Sequence, residues 1–413
     1  MKTYRITALM LFACGTAFST QARVETPLRL GIIGVTHGHI GGVFNGGSNL
    51  VPAGGLLKRS DVQIVGIAEP DRQRFDQFAE RMHLDPNLYF STIDELISRA
   101  HPQAVLVFTT TFDHTKVVEE CARRGVHVMM QKPLAVSYKD ALAMADAAQK
   151  GHIHVLVDYE TSWYPNTKAA YDLLQQGALG DPRKIVTHHG HSGPAAFKAA
   201  DPARTDAPQR AAGSGPSAFA NWLIDPKLNG GGALYDFGCY GADLATWLMK
   251  GQAPLTVTAV TRQLNPGNHS QVDDEADIIL TYPSTVAMIE ASWNWPFAVK
   301  EIEVYGKTGF AKTMFTATSA ARPFFETDKL ELRRNSVPPK PDWTEMDSQL
   351  ITSPSLMPPY DDPLHYFAAV IRGEVQDEGS LSSLKTNVIV SEILDAARRS
   401  AQSGKAISLP LEQ

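Results

Sequence analysis

The segment LRLGIIGVTHGH, residues 28–39, joins an apolar run that ends in glycine to a polar turn. A buried parallel strand, a glycine turn and a helix start form the dinucleotide-binding βαβ unit, in which backbone N–H groups meet a pyrophosphate. The usual G-x-G-x-x-G spacing requires glycine at positions 34, 36 and 39, and only Gly34 satisfies it. Thr36 and His39 occupy the other two positions, while Gly38 lies between them and can restore some room.

The first half of the chain repeats this alternation of short apolar runs and amphipathic segments. Buried runs rich in β-branched residues that alternate with helices predict parallel βαβ units and a doubly wound sheet. Asp113 and Ser137 are predicted to cap two of the intervening helices. We therefore predict an α/β domain of the Rossmann type over residues 23–157. The further apolar runs are Val62–Ala68, Ala104–Thr109, His127–Met130 and Ile153–Val157.

The pattern changes after residue 157, where longer runs alternate apolar and polar residues and are joined by short turns. Such runs predict an α+β second domain with a large open, mostly antiparallel sheet over residues 158–413. A helical pattern over Leu384–Ser403, followed by Gly404, lies near the end of the chain. The strand-like runs are Pro254–Arg262, Asp277–Tyr282, Thr285–Trp293 and Lys300–Tyr305.

An acidic residue stands at the end of the second apolar run. Glu69 directly follows VQIVGIA, a place where a carboxylate can accept hydrogen bonds from the adenosine ribose. The same carboxylate repels a ribose 2′-phosphate, so this position favours NAD over NADP. A solvated carboxylate at a strand end is the alternative interpretation.

Two segments of the first half follow motifs of a known family. Gln131-Lys132-Pro133 comes after the fourth apolar run, at the place of the family's Glu-Lys-Pro motif. Upstream, Thr109 and His114 match a Thr-Pro-Asn-x-x-His segment, although its proline and asparagine are missing here.

The second half contributes further matches in the same order. Residues 230–238, GGGALYDFG, resemble the family's GGGaLxDxG motif and contain Asp236. Tyr240 stands four positions later, where most members have histidine, and Asp243 follows as in the family. Over about residues 29–408 the chain therefore resembles the Gfo/Idh/MocA family of nicotinamide-dependent sugar oxidoreductases.

The resemblance implies that hydride transfer occurs beside Lys132, Asp236 and Tyr240. Lys132 is expected to bind the substrate oxygen and stabilise developing negative charge, and Asp236 to orient the substrate or Lys132. Tyr240 is expected to carry the hydroxyl proton, provided that Lys132 stabilises its phenolate. We also expect the Thr36 hydroxyl and the His37–His39 turn to donate to the pyrophosphate. The predicted cofactor-binding residues are Gly34, Thr36, His37, Gly38, His39, Glu69, Thr109, His114 and Gln131.

The function implied by the resemblance is hydride transfer to NAD from a sugar or a sugar-derived alcohol, with the cofactor tightly held. A tyrosine at the position of Tyr240 also occurs in glucose–fructose oxidoreductase, an exported member of the family with tightly held nicotinamide. Two alternatives stay open, namely a glycosidase or lyase that uses NAD in a redox-neutral cycle, and a catalytically silent sugar-binding relative. Gln131 and the altered glycine turn keep the second alternative open.

Charge and histidine content bear on the classes of ligand. His188, His189 and His191 cluster, but no acid or cysteine completes a known metal-site spacing, so we predict no metal. The formal net charge of −6 argues against binding to nucleic-acid phosphates. The expected partner is a small carbohydrate. We expect no membrane span in the mature chain, and an open sheet is compatible with a homo-oligomer.

The first 22 residues have the pattern of a signal peptide. Lys2 and Arg5 precede the apolar run Ile6–Phe18, which is too short to span a bilayer, and small residues flank a cleavage site after Ala22. We therefore expect an exported, periplasmic protein. Processing as a lipoprotein at Cys14 is the alternative, because the preceding residues LFA loosely resemble a lipobox.

Cleavage after Ala22 gives an exported protein that begins at Arg23. Mass spectrometry of the N-terminal peptide from the native host measures this directly. An N-terminus that still carries Met1 would contradict export, and an acylated Cys14 would support the anchored alternative.

Overall fold

The computed structural model describes residues 26–46, 55–194, 218–265, 271–317, 325–335 and 346–412. The predicted signal peptide and Cys14 lie outside these ranges. Every helix in the described ranges is too short or too polar to cross a membrane. Two β-sheets organise this part of the chain.

The first sheet is parallel throughout and has the strand order β3-β2-β1-β4-β5-β6. Its strands are β1 (Leu28–Ile33), β2 (Val62–Ala68), β3 (Tyr89–Phe90), β4 (Ala104–Val107), β5 (His127–Gln131) and β6 (Val155–Asp158). This order is that of a doubly wound sheet, and it confirms the predicted fold of the first half. The chain reverses its winding between the two neighbours β1 and β4, so their carboxyl ends border the crevice where such sheets bind ligands.

Helices connect the strands of this sheet. They are α1 (Ile40–Asn45), α2 (Arg72–Met82), α3 (Ile93–Ala100), α4 (His114–Ala122) and α5 (Tyr138–Gly151), and α6 (Pro165–Gln175) follows the last strand. The Ser137 hydroxyl accepts a hydrogen bond from the Asp140 amide, which confirms the predicted cap of α5. The predicted cap at Asp113 is wrong, because its carboxylate accepts from the Thr110 hydroxyl at 2.7 Å and makes no cap bond.

The second sheet has nine strands. In chain order they are β7 (Pro182–Gly190), β8 (Thr256–Arg262), β9 (Glu275–Thr281), β10 (Val286–Ser292), β11 (Val299–Gly306), β12 (Gly309–Thr313), β15 (Lys329–Asn335), β16 (Met346–Thr352) and β17 (Ile407–Ser408). They are arranged in the order β16-β15-β12-β11-β7-β10-β9-β8-β17. Within the described strands, β7 and β10 pair in parallel and the other neighbours are antiparallel, as predicted for a mostly antiparallel sheet. A separate pair is formed by β13 (Thr316–Ala317) and β14 (Phe325–Glu326).

Two long helices cover the inner face of the second sheet. The later helices are α7 (Ala218–Leu223), α8 (Pro226–Asn229), α9 (Ala233–Asp236), α10 (Gly238–Leu248), α11 (Pro363–Ile371) and α12 (Leu384–Ser403). The bounds of α12 and its left-handed end at Gly404 confirm the predicted helix. Both α10 and α12 bury apolar side chains against the strands, with Leu244 and Leu394 fully enclosed.

The chain returns to the first sheet before α12. Leu364 and Phe367 of α11 are buried in the same apolar cluster as Leu30 of β1. Asp362, which precedes α11, forms a 2.7 Å ion pair with Arg59 from the loop before β2. The predicted boundary after residue 157 stays a prediction, and α11 shows that the later part of the chain completes the earlier core.

Gly241 lets α10 approach the second sheet closely. A Cβ at this position would lie 2.3 Å from Ile289 Cγ2 and 2.4 Å from Thr187 Oγ1. We expect Gly241→Ala to lower the free energy of unfolding by about 1–3 kcal/mol through overpacking. The control is Gly41→Ala in α1, where the nearest atom lies at 3.7 Å and alanine raises helix propensity. Urea unfolding measures both, and equal stability of the two variants would contradict this account.

Candidate functional site

The glycine turn after β1 packs directly against the end of β4. Gly34 has a φ of +76°, and a Cβ there would lie 2.7 Å from the Thr109 methyl carbon and 3.1 Å from the Phe108 carbonyl. Both the backbone conformation and the contact therefore require glycine. This places the predicted residues Gly34 and Thr109 side by side at the switch point of the sheet.

Some backbone N–H groups of the turn have a hydrogen-bond acceptor among the described residues and others do not. The amides of Thr36 and His37 donate to the Phe108 carbonyl at 3.1 and 3.0 Å. The Gly38 amide has no hydrogen-bond partner among the described residues. A peptide N–H that lacks a partner at this turn fits the donor that a dinucleotide pyrophosphate requires. The altered glycine motif thus retains a backbone N–H donor at the turn, in Gly38.

Glu69 is buried at the end of β2 and accepts three hydrogen bonds. Its donors are the amides of Val35 and Asp71, both at 3.0 Å, and Nη1 of Arg74 at 2.9 Å. The carboxylate therefore holds the glycine turn against β2. An ionised carboxylate has about four acceptor positions, so capacity for one further bond, such as a ribose hydroxyl, is left.

A cleft of about 740 Å³ opens beside this turn. Its size lies in the range of small-molecule sites. Gly34, Thr36, Glu69, Thr109 and Thr110 contribute to its walls, and so do four cationic side chains from α2, from α4 and from the turn after α4. The glycine turn and the cleft beside it fit the adenosine and pyrophosphate portion of NAD. The four cations are Arg74, Lys116, Arg123 and Arg124.

A chain of buried polar groups links the turn to β5 and β6. His39 Nδ1 lies 2.7 Å from Gln131 Oε1, and the Gln131 amide donates to Asp158 Oδ2 at 2.9 Å. Asp158 Oδ1 accepts from the Trp163 indole at 2.9 Å. The Gln131 NH2 group faces Asp158, so the Gln131 side-chain oxygen faces His39. An oxygen there can only accept, and His39 Nδ1 therefore carries the proton. His39 thus contacts the end of β5 through Gln131.

Burial shifts the pKa of two groups in this region. It raises the pKa of the Asp158 carboxyl to about 7, despite the two hydrogen bonds that the carboxylate accepts. It lowers the pKa of the His37 ring well below the ordinary value, and His37 packs against the His39 ring at a centroid distance of 4.6 Å. At neutral pH His37 is therefore an uncharged ring.

Lys132 and Asp236 form a buried ion pair between the two sheets. Lys132 Nζ lies 2.5 Å from Asp236 Oδ1 and 2.8 Å from the Asp236 carbonyl oxygen. The other carboxylate oxygen accepts from the Trp293 indole at 2.8 Å. Burial alone would lower the pKa of Lys132, but the adjacent carboxylate holds it above the ordinary value. Lys132 is therefore a permanent cation, and Asp236, whose pKa is lowered by Lys132 against the effect of burial, a permanent anion.

Tyr240 lies beside this pair. Lys132 Nζ is 5.0 Å from its ring centroid, and the His189 ring stacks on it at 5.3 Å. The expectation that Lys132 lowers the phenol pKa is wrong for this arrangement. Burial, followed by the negative charge of Glu160, raises the pKa of Tyr240 well above its ordinary value. The hydroxyl is accordingly a neutral hydrogen-bond donor, because Asp236 compensates the charge of Lys132.

The remaining predicted histidines have other surroundings. His114 is buried behind the Lys132–Pro133 peptide, with Nδ1 3.1 Å from the Leu134 carbonyl, so it supports the loop that carries Lys132. His188 lies on the opposite face of β7 from His189 and contacts Glu290 at 2.8 Å. Within the described residues, three potential metal ligands come together at Asp361, Asp362 and His365, at the start of α11.

The roles of four groups of this region were not predicted from the sequence. Trp293 donates a hydrogen bond to Asp236, and Asp158 accepts one from Gln131. Glu160 forms a 2.6 Å ion pair with Lys300, which lies close to Tyr240. One signal was present, because Lys300 shares its side of an alternating strand with Ile302 and Val304. A lysine at an apolar position of such a strand indicates either a buried partner or a function.

Comparison with known proteins agrees with this architecture. Residues 28–159 match the oxidoreductase family with the NAD-binding Rossmann fold, and residues 167–312 match the Gfo/Idh/MocA C-terminal domain. Together the two matches span about two thirds of the chain. They confirm the predicted family and the predicted NAD-binding Rossmann fold.

Individual relatives are more distant. Trans-1,2-dihydrobenzene-1,2-diol dehydrogenase of Bos taurus is 27% identical over 231 residues, which cover 56% of this chain and 60% of that protein. The chain thus spans about 60% of the length of the curated relatives it matches.

Solved structures share the fold along nearly the whole chain. Aldose-aldose oxidoreductase from Caulobacter crescentus, complexed with glycerol, has a TM-score of 0.68 at 20% identity and covers 93% of this chain and 100% of its own. An inositol dehydrogenase homolog from Azotobacter vinelandii, complexed with NAD+, has a TM-score of 0.71 at 17% identity, with coverage of 94% and 98%. The chain belongs to the Gfo/Idh/MocA family of oxidoreductases, and its first sheet is that family's NAD-binding Rossmann fold.

Proposed function

We propose that this protein is an NAD-dependent oxidoreductase that acts on a secondary hydroxyl or ketone of a neutral sugar or polyol. The observation that carries the proposal is the Lys132–Asp236 ion pair, buried beside Tyr240 between the NAD-binding sheet and the second sheet. The names of similar proteins, which include an aldose-aldose oxidoreductase, an inositol dehydrogenase homolog and a dihydrodiol dehydrogenase, support this substrate class.

Lys132 is suited to hold the reacting oxygen. An ammonium group has three N–H donors, and two of them contact Asp236. The third can donate to the substrate oxygen, and the positive charge stabilises the alkoxide character that develops there in either direction of the reaction. Bound NAD supplies the hydride acceptor, or NADH the hydride donor.

Tyr240 serves as a neutral donor to the same oxygen. Its phenol keeps its proton at neutral pH because it is buried and because Asp236 neutralises Lys132. In the direction of ketone reduction, the hydroxyl can donate a hydrogen bond to the substrate oxygen as negative charge develops there. Asp236 acts through Lys132, whose position it determines together with Trp293.

We further propose that the protein is exported and that it holds its cofactor tightly. An exported enzyme meets little free nicotinamide and therefore turns its cofactor over in place, either with a second substrate or in a redox-neutral cycle. A native mass spectrum of the purified protein tests retention, since bound NAD adds its mass to the chain. Self-association through the outer face of the second sheet, where Val260 and Ile279 are exposed, is a further part of the proposal.

Removal of the lysine charge tests the assignment of the site. We expect Lys132→Met to reduce turnover at least about a hundredfold, because a charge-stabilising donor is lost, and Tyr240→Phe to reduce it strongly. Turnover is measured by NADH absorbance and by product analysis with D-glucose, D-xylose and myo-inositol. Lys168→Met, which removes an exposed lysine paired with Asp172, is the control.

The outcomes separate the three candidate functions. Net formation of NADH supports the proposed oxidoreductase. Product formation without net NADH supports a redox-neutral glycosidase or lyase. Sugar binding without any turnover supports a silent relative, and near-normal turnover of both variants contradicts the assignment of Lys132 and Tyr240.

A further inference from the structure

A second ion pair connects the two sheets near Tyr240. Lys300 Nζ on β11 lies 2.6 Å from Oε2 of Glu160, which follows β6, and each side chain is only 12% exposed. The Tyr164 hydroxyl donates to the other oxygen of Glu160. Burial opposes ionisation of Glu160, but Lys300 and Tyr164 lower its pKa to about 2. The pair is therefore ionic at neutral pH.

This pair and the Lys132–Asp236 pair share Tyr240 as a neighbour. Lys300 Nζ is 5.2 Å from the Tyr240 ring centroid, and Lys132 Nζ is 5.0 Å from it. Each ammonium is matched by one carboxylate, so the charges of the two pairs cancel. The two pairs therefore add no net charge with which to attract an anionic or cationic substrate, and a neutral polar molecule fits them best.

Packing alone does not account for the second pair. Lys300 lies on the inward side of β11, which it shares with the buried residues Ile302 and Val304. Desolvation of two charges offsets most of their attraction, and apolar side chains at such positions are often equally stable. A charged pair at this place therefore indicates a role in binding.

Both partners keep hydrogen-bonding capacity. Lys300 uses one of its three N–H donors for Glu160, its sole partner for an ion pair or hydrogen bond in the described part of the chain. Glu160 accepts from Lys300 and Tyr164, which leaves about two of its acceptor positions. The pair thus presents a donor and an acceptor side by side.

We propose that Glu160 and Lys300 form a second substrate-binding subsite, which holds two neighbouring hydroxyl groups of a neutral cyclic polyol while Lys132 holds the reacting oxygen. The Glu160 carboxylate accepts from one hydroxyl group, and the Lys300 ammonium donates to the oxygen of the next. This subsite rests on the proposed function, because it selects the ligand that Lys132 and Tyr240 would bind.

Calorimetry on the NADH-loaded protein tests the subsite without the need for turnover. The probes are D-glucose, D-xylose and myo-inositol, and the deoxy analogues of whichever binds most tightly. We expect Glu160→Gln and Lys300→Met each to weaken binding of that ligand at least about tenfold, as loss of a hydrogen bond to a charged group does. One deoxy analogue should bind the wild type as weakly as the intact ligand binds the variants. The variants should bind this analogue and the intact ligand with equal affinity.

Two further variants separate binding from folding. Lys312→Met removes an ammonium that pairs with Glu301 and Glu303 on the outer side of the same sheet, and it should leave polyol binding unchanged. The double variant Glu160→Gln/Lys300→Met leaves no unpaired charge, so it should fold, bind NADH and still bind the polyol weakly.

The possible failures are distinct. Unchanged polyol affinity in both single variants overturns the subsite and leaves the proposed function intact. Loss of NADH affinity in parallel with polyol affinity also overturns it, because the pair would then only hold the two sheets together. If the NADH-loaded wild type binds none of the probes, the subsite and the proposed substrate class both fail.

Discussion

The ion pair between Lys132 and Asp236 is the interaction on which the site depends. One partner follows the fifth strand of the parallel sheet and the other ends a short helix beside the second sheet, so the pair joins two parts of the chain that fold around different strands. Removal of one partner from a buried pair costs about 3–5 kcal/mol, since the other charge is left unpaired. The position of Lys132 thus depends on the assembly of both parts of the chain and not on its own loop alone.

Much of the fold follows from local patterns. The apolar runs that alternate with helices predict the parallel sheet, and the pattern of α12 predicts its bounds, because in both cases burial imposes a period that the sequence must repeat. The return of α11 to the first sheet was not predictable in this way. Its apolar face has the same period whichever core it joins, and nothing in Pro363–Ile371 distinguishes one sheet from the other.

The candidate site was predictable as a set of residues but not as a set of ionisation states. Lys132, Asp236 and Tyr240 lie together as predicted from the motifs. The sequence does not show, however, that the Asp236 carboxylate offsets the charge of Lys132, so that the pKa of the Tyr240 phenol is raised and not lowered. The environment of Glu69 was also predictable only in part. Its place at the end of β2 follows from the sequence, whereas its three hydrogen bonds, from Val35, Asp71 and Arg74, depend on how the turn folds back.

The return of α11 has a consequence for the order in which the protein matures. The core beneath β1 lacks Leu364 and Phe367 until synthesis has passed residue 371, although β1 itself is among the first strands made. The nucleotide-binding sheet is therefore begun early and completed late. A nascent chain in this condition exposes apolar surface for most of its synthesis, and such surface is what chaperones bind.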